Sequence, residues 1–365
     1  MTANVPAITP DAATPAAATV SAARRGRQSL LKAHMELGKV RLNALVVFTT
    51  ALGFIVGAKQ TENPHMDWIC LAWTCVGTFL AAVGASAFNQ AIETRRDMRM
   101  HRTRNRPLCT GRLSRTYAAT FGLIVSICGV AIICPTSNGL AACLAAGNIL
   151  LYVTVYTALK PISTVNTLVG AIVGGVPPVL GWAAATGTIE LGAIVLGAIL
   201  FVWQIPHFLA LCWMYREDYA RGGFKMLPIV DPSGRLTGRM ALIYALILAP
   251  LCLLLGFLRI ADVPFIAVSM MLTAFFVVVA MRFMQTRTNQ DARKLFFASI
   301  IYLPLVASAM MLDSVFSISA MGNNRGTQVH TDGSPFVDPS SLPENQGSVD
   351  PGTASAPPSG AQTPQ

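Results

Sequence analysis

The chain has 365 residues, of which 53% are hydrophobic and only 12% charged, and its formal net charge is +10. A soluble domain carries about 25% charged residues, so an ordinary soluble globular protein is excluded. The apolar residues fall in blocks close to the roughly 20 residues that cross a bilayer core, which predicts a polytopic membrane protein.

Residues 1–27 are rich in Ala, Thr and Pro and contain no apolar core resembling a signal peptide, and 1–34 is expected to be a disordered cytoplasmic tail. Nine hydrophobic spans follow, at 42–58, 68–88, 116–134, 138–158, 165–186, 191–214, 239–258, 263–281 and 295–316. Stretches such as MALIYALILAPLCLLLGF (240–257) do not alternate as barrel strands do. Helices are therefore expected, because lipid offers the backbone no hydrogen bonds. The predicted domain covers 35–318, and Pro, Ser and Gly enrichment marks 319–365 as a second disordered tail.

The Lys and Arg residues set the orientation. All but Lys59, Arg259 and Arg325 of the 27 fall in the N-terminal tail or the loops after spans 2, 4, 6 and 8. The positive-inside rule puts that side in the cytoplasm and the C-terminus outside. The positive charge is thus explained by topology and implies no nucleic acid. The eight cysteines show no metal-ligand spacing, and only Cys109 sits in a charged loop.

After span 2 comes NQAIETRRDMRMHRTRNRPL (89–108). Asn89, Glu93 and Asp97 are spaced i, i+4, i+8, and line one face if the helix continues for two more turns. Stacked oxygens of this kind suit Mg²⁺, which is held by one or two carboxylates plus substrate phosphate. Arg102 and Arg106, again four apart, suit phosphate oxygens. Topology alone accounts for the arginines but not for the regular acidic spacing.

At the end of span 4, YTALK offers Tyr156 and Lys160 to a phosphate, although Tyr and Lys also anchor at headgroups. Span 5 carries Gly170, Gly174, Gly175, Gly181 and the Pro177-Pro178 pair, which predicts close helix approach and a kink. Inside span 6, His207 could orient a carboxylate, ligate iron, move a proton, or satisfy a carbonyl freed by Pro206. Beyond it, YREDYARGGFKMLPIVD (215–231) repeats the order of acids then bases, with Glu217, Asp218, Arg221 and Lys225. Two acidic clusters facing each other could hold two Mg²⁺ around a diphosphate, and surface charge is the plainer alternative for Glu217. Spans 2 and 6 lie four apart, a hint of an internal repeat.

The 89–108 stretch resembles the first acidic motif of the UbiA-type intramembrane prenyltransferases, most specifically in DMRMHRTRNRPL. The segments 37–57, 156–187 and 203–228 are similar to the heme-farnesylating branch of that family in the same order. Glu93 stands where many bacterial members have Asp, a form similar to mitochondrial-type members, and the second motif is not a clean Asp-x-x-x-Asp. The resemblance implies an all-α fold of nine helices around a central cavity, capped by a polar cytoplasmic site. It implies transfer of a farnesyl group from farnesyl diphosphate to the C2 vinyl of heme b, giving heme O. The implied metal set is Mg²⁺ on Asn89, Glu93, Asp97 and Asp218. Asp97, Arg102 and Lys160 are the expected catalytic residues; Arg106, Tyr156, His207, Arg221 and Lys225 are expected to bind substrate.

Membrane lipid, and downstream a heme A synthase or a terminal oxidase assembly, are the other implied partners. The location expected is a bacterial plasma membrane, with the mitochondrial inner membrane as the alternative. An aromatic- or quinone-precursor prenyltransferase, a transporter and a non-catalytic assembly factor are the competing functions. The site's position at one membrane face instead of the midplane weighs against the transporter.

Overall fold

The protein is described by a computed structural model over residues 30–62 and 64–329, with 322–329 as helical backbone only. The two predicted tails fall largely outside these residues. Residues 30–37 are helical, and the last helix runs on to Val329, beyond the predicted boundary at 318.

Nine helices long and apolar enough to span a bilayer are present among the described residues. They are α1 (Val40–Lys59), α2 (Trp68–Asp97), α3 (Arg115–Thr136), α4 (Gly139–Leu159), α5 (Asn166–Thr186), α6 (Leu191–Met214), α7 (Arg235–Phe257), α8 (Val263–Thr286) and α9, which is apolar over Asn289–Met321. No strand occurs among the described residues. Several helix starts are written in the sequence. Asp67 caps α2 by accepting the Cys70 N–H at 2.9 Å, and Ser114 caps α3 through the Tyr117 N–H at 3.0 Å. Asn138 caps α4 through Ala141 and reaches across to donate to the Ala183 carbonyl of α5 at 2.7 Å. Each cap satisfies an N–H that lipid could not.

Sequence neighbours pack together along the chain, and α1 also packs along α5. That crossing is close because a Cβ at Gly53 would collide with the Pro178 carbonyl. α5 stays helical through both prolines. Trp182, Trp203, Leu248, Phe276, Phe283 and Leu295 fill a core shared by α5 to α9. Outward, Leu123, Ile124 and Ile127 of α3 and Met271, Phe275 and Val278 of α8 are exposed apolar residues, as expected of helices facing lipid. Away from the site, Lys59 at the end of α1 bonds Asp262 and Asp313, each at 3.2 Å, tying α1, α8 and α9 together.

One helix departs from regularity. Residues Leu151–Tyr156 of α4 form a π-turn. The Thr157 N–H bonds the Tyr152 carbonyl five residues back, and Thr157 Oγ1 donates to the same oxygen at 2.8 Å. Such turns are uncommon and concentrate at functional sites.

Candidate active site at the mouth of an apolar cavity

A cavity of about 590 Å³ lies between α1, α2, α4, α5, α6 and α9. Residues such as Leu42, Val46, Ala82, Val173, Leu200 and Leu303 make it apolar. Its charged residues belong to α2 and the segments at the ends of α1, α2 and α4.

α2 continues without a break to Asp97, so Asn89, Glu93 and Asp97 line the cavity from one helical face, and all three are buried. Each has a basic partner. Lys39 Nζ donates to Asn89 Oδ1 at 2.9 Å. Lys160 Nζ donates to Glu93 Oε1 at 2.7 Å. Arg106 donates to Asp97 Oδ2 at 2.5 Å. The other Asp97 oxygen, Oδ1, is buried with no hydrogen-bond partner. Lys160 also lies 4.5 Å from the Tyr156 ring centre, a cation–π contact. Arg102 donates to the Tyr219 hydroxyl at 3.1 Å and stacks over Tyr215 and Tyr219.

Burial and the nearby Arg106 and Lys160 push the Lys39 ammonium down to about 7. Burial also opposes charge on Lys160, but Glu93 outweighs it and holds that ammonium above the ordinary lysine value. This is a basic cluster crowded into a low-dielectric pocket, electrostatically short of negative charge, as an anion-binding site requires.

The oxygen donors fit a hard divalent cation. Two carboxylates and an amide share one face, and one carboxylate oxygen is left unsatisfied. Among the described residues there is no cluster of three or more His, Cys, Asp or Glu that would form an all-protein cage. Mg²⁺ does not need one, since substrate phosphates and water complete its shell.

Residues 46–301 match the sequence model of the UbiA prenyltransferase family. The chain belongs to that family. This UbiA-family chain is 40% identical over 284 residues to "Protoheme IX farnesyltransferase, mitochondrial" of Arabidopsis thaliana, with 78% of the chain and 65% of that protein covered. It is 38% identical over 288 residues to "Protoheme IX farnesyltransferase" of Solibacter usitatus, covering 78% of the chain and 99% of that protein. It thus spans just under two thirds of the plant protein's length and nearly all of the bacterial one. A solved structure, a UbiA homolog from Archaeoglobus fulgidus bound to DMAPP and Mg²⁺, superposes with a TM-score of 0.56 over 78% of the chain and 99% of that chain. At 14% identity this likeness is one of UbiA fold.

The structure gathers Asn89, Glu93, Asp97, Arg102, Arg106, Tyr156, Lys160 and His207 around the one cavity. It does not bring the second loop's acids to face them. α6 ends at Met214, and Arg216–Arg221 forms a separate short helix. Asp218 there accepts the His101 and Arg102 amide N–H groups at 2.7 and 3.1 Å and is paired with Arg221 at 2.8 Å. Partial burial opposes ionisation, but these hydrogen bonds outweigh it and hold the carboxyl below the usual aspartate value. Asp218 clamps the arginine loop, and with Glu217 and Arg221 it lines a separate shallow pocket. Lys225 contributes its backbone, donating to the Lys160 carbonyl at 2.8 Å and accepting from Asn166. Its side chain is exposed. Glu217 and Asp218 thus line this second pocket and not the first.

Lys39 was missed by sequence reasoning. It stands in LGKVRLN, in a tail whose bases topology already explains; only its placement directly before a span, in a left-handed conformation with φ 46°, separates it. Tyr152, whose hydroxyl accepts from Lys39 at 3.3 Å, and Tyr219 were missed too.

Proposed function

We propose that the protein transfers the farnesyl group of farnesyl diphosphate to the C2 vinyl group of protoheme IX (heme b), giving heme O and diphosphate. The observation that carries this is the union of an apolar cavity with a mouth holding paired acids and bases, on a chain similar to protoheme IX farnesyltransferases. In the chemistry proposed, the allylic C1–O bond breaks, diphosphate leaves, the vinyl carbon attacks C1, and water adds to the resulting benzylic-type cation and gives up a proton to solvent, leaving the hydroxyl.

Asn89, Glu93 and Asp97 are the residues that would hold Mg²⁺, an ion that the Archaeoglobus UbiA homolog binds together with DMAPP. Bound there, the ion would neutralise charge developing on the leaving diphosphate. Arg102, Arg106 and Lys160 add fixed positive charge at the same mouth, where low dielectric strengthens it, and Lys39 joins them when protonated. Binding of diphosphate gives Arg106 and Lys160 phosphate partners and frees Asp97 and Glu93 for the metal. The apolar wall holds the 15-carbon chain and keeps water from the allylic cation. His207 helps to place the acceptor. The positive-inside bias supports a cytoplasmic mouth.

Membranes containing the protein, incubated with heme b, farnesyl diphosphate and Mg²⁺, are expected to form heme O, to stop when the ion is chelated, and to resume when it is restored. Asp97→Asn is expected to lower the rate by about 100-fold or more, the scale of losing a transition-state charge contact. Prenylation of a quinone precursor with no heme O formed overturns the reading.

A further inference from the structure

Three aromatic rings stack in the wall of the cavity. Trp203 and His207 have centroids 5.4 Å apart at 22°, and His207 and Phe296 are 4.8 Å apart at 27°. The stack is fastened to one residue of α9, the fully buried Ser299. Its carbonyl accepts the Trp203 indole N–H at 2.9 Å, and its Oγ lies 2.8 Å from His207 Nδ1.

The direction of that second bond is fixed by proton counting. A serine hydroxyl has one proton. Here it is committed, because Oγ donates to the Phe296 carbonyl at 2.6 Å. Oγ can then only accept from the imidazole, so the proton of His207 sits on Nδ1. No acidic side chain among the described residues bonds the ring to hold it as a cation. The lone pair is therefore on Nε2, which has no protein partner among the described residues and belongs to a residue lining the cavity.

A histidine whose Nδ1–H is fixed by an outer hydrogen bond while Nε2 stays bare is the arrangement proteins use to present imidazole to a metal. The flanking rings remove the rotation that would otherwise point it elsewhere. His207 lies five residues before Cys212 on α6, roughly 7.5 Å deeper at 1.5 Å per residue. Cys212 packs with Met100 and Phe224 under the arginine loop. Iron held at Nε2 would thus lie in the apolar zone beneath the charged mouth.

We infer that Ser299 is a positioning residue that locks His207 in its Nδ1–H form, and that His207 Nε2 is an axial ligand to the iron of a tetrapyrrole acceptor. This rests on the heme-acceptor reading above. The test uses the purified full-length protein in detergent, titrated in parallel with heme b and with metal-free protoporphyrin IX. Wild type is expected to give a histidine-ligated heme spectrum, which His207→Ala abolishes. Ser299→Ala and the near-isosteric Ser299→Cys are expected to weaken heme b binding by about 10-fold or more, the scale of losing an outer-shell partner. Both should leave protoporphyrin IX binding unchanged, which also shows that they fold. Ser299→Thr, keeping the hydroxyl, should restore heme binding.

Equal weakening of both porphyrins by the Ser299 variants, or a wild-type ligation spectrum in His207→Ala, overturns the inference. So does a wild-type protein with no histidine-ligated spectrum. Iron-selective losses without any heme O formation would sink the proposed reaction alone; heme O formation with an unaltered spectrum in His207→Ala would sink the ligand assignment alone.

Discussion

Lys160 Nζ and Glu93 Oε1 meet at 2.7 Å, bridging the end of α4 to the middle of the last turns of α2. Both side chains are largely buried, at 12% and 6% exposure. Removing one partner of a buried pair leaves an uncompensated charge, at a cost of about 3–5 kcal/mol. Lys160→Met is therefore expected to lower the thermal midpoint strongly. The double variant Glu93→Gln with Lys160→Met is expected to regain most of that stability while staying inactive. Thermal melts in detergent beside product assays check it; a double variant as unstable as the single one contradicts it.

Lys39 touches Asn89 and Tyr152 and sits among Arg106 and Lys160. Lys39→Met should raise the KM for farnesyl diphosphate by about 10-fold, equivalent to roughly 1.4 kcal/mol. Binding of the porphyrin should not change. Initial rates at varied diphosphate concentration decide this, and an unchanged KM removes Lys39 from the site.

Asp218 fixes the loop through the His101 and Arg102 amides. Its folded pKa is depressed, so its contribution is complete above the unfolded value of about 3.9 and is lost as pH falls through the lower folded value. Hydrogen exchange at the two amides should therefore show no opening linked to this group between pH 5 and 8. Asp218→Asn, examined at pH 7, should open the loop as the wild type does only in acid. Equal protection of those amides in the variant at pH 7 contradicts the clamp.

Gly53 allows α1 to approach the backbone of α5 at Pro178. A methyl there meets backbone, which cannot swing aside as a side chain would. Gly53→Ala is expected to destabilise by about 3 kcal/mol or more. Gly147→Ala, also in a helix but facing open space, should be neutral or stabilising by up to roughly 1 kcal/mol. Comparing the melting temperatures of the two variants checks the contrast.

Much of this was readable from the residues because it depends on local periodicity. Apolar blocks predicted the nine spans, and the four-residue spacing of Asn89, Glu93 and Asp97 predicted one face of a continuing helix. What was not readable depends on contacts distant in sequence. Asp218 follows an apolar span just as Asp97 does, yet a break after Met214 turns it toward the arginine loop. Ser299 looks like one more small residue in an apolar helix until α9 brings it to His207, 92 positions away. Lys39 was hidden by a rule that explains every basic residue on its side equally well.

The π-turn at Leu151–Tyr156 gives α4 a phase shift. An α-helix advances about 100° per residue, so one surplus residue re-aims everything after it relative to everything before. Lys160 lies downstream of that step and Asn148 upstream, yet both border the same cavity. Straightening the turn into regular α-helix with every residue kept would swing Lys160 by about 100° away from Glu93, whereas excising the surplus residue would regularise the helix and leave Lys160 where it is. The irregularity is therefore an indexing device, in which helix regularity is given up so that two faces of one rod can serve a single chamber.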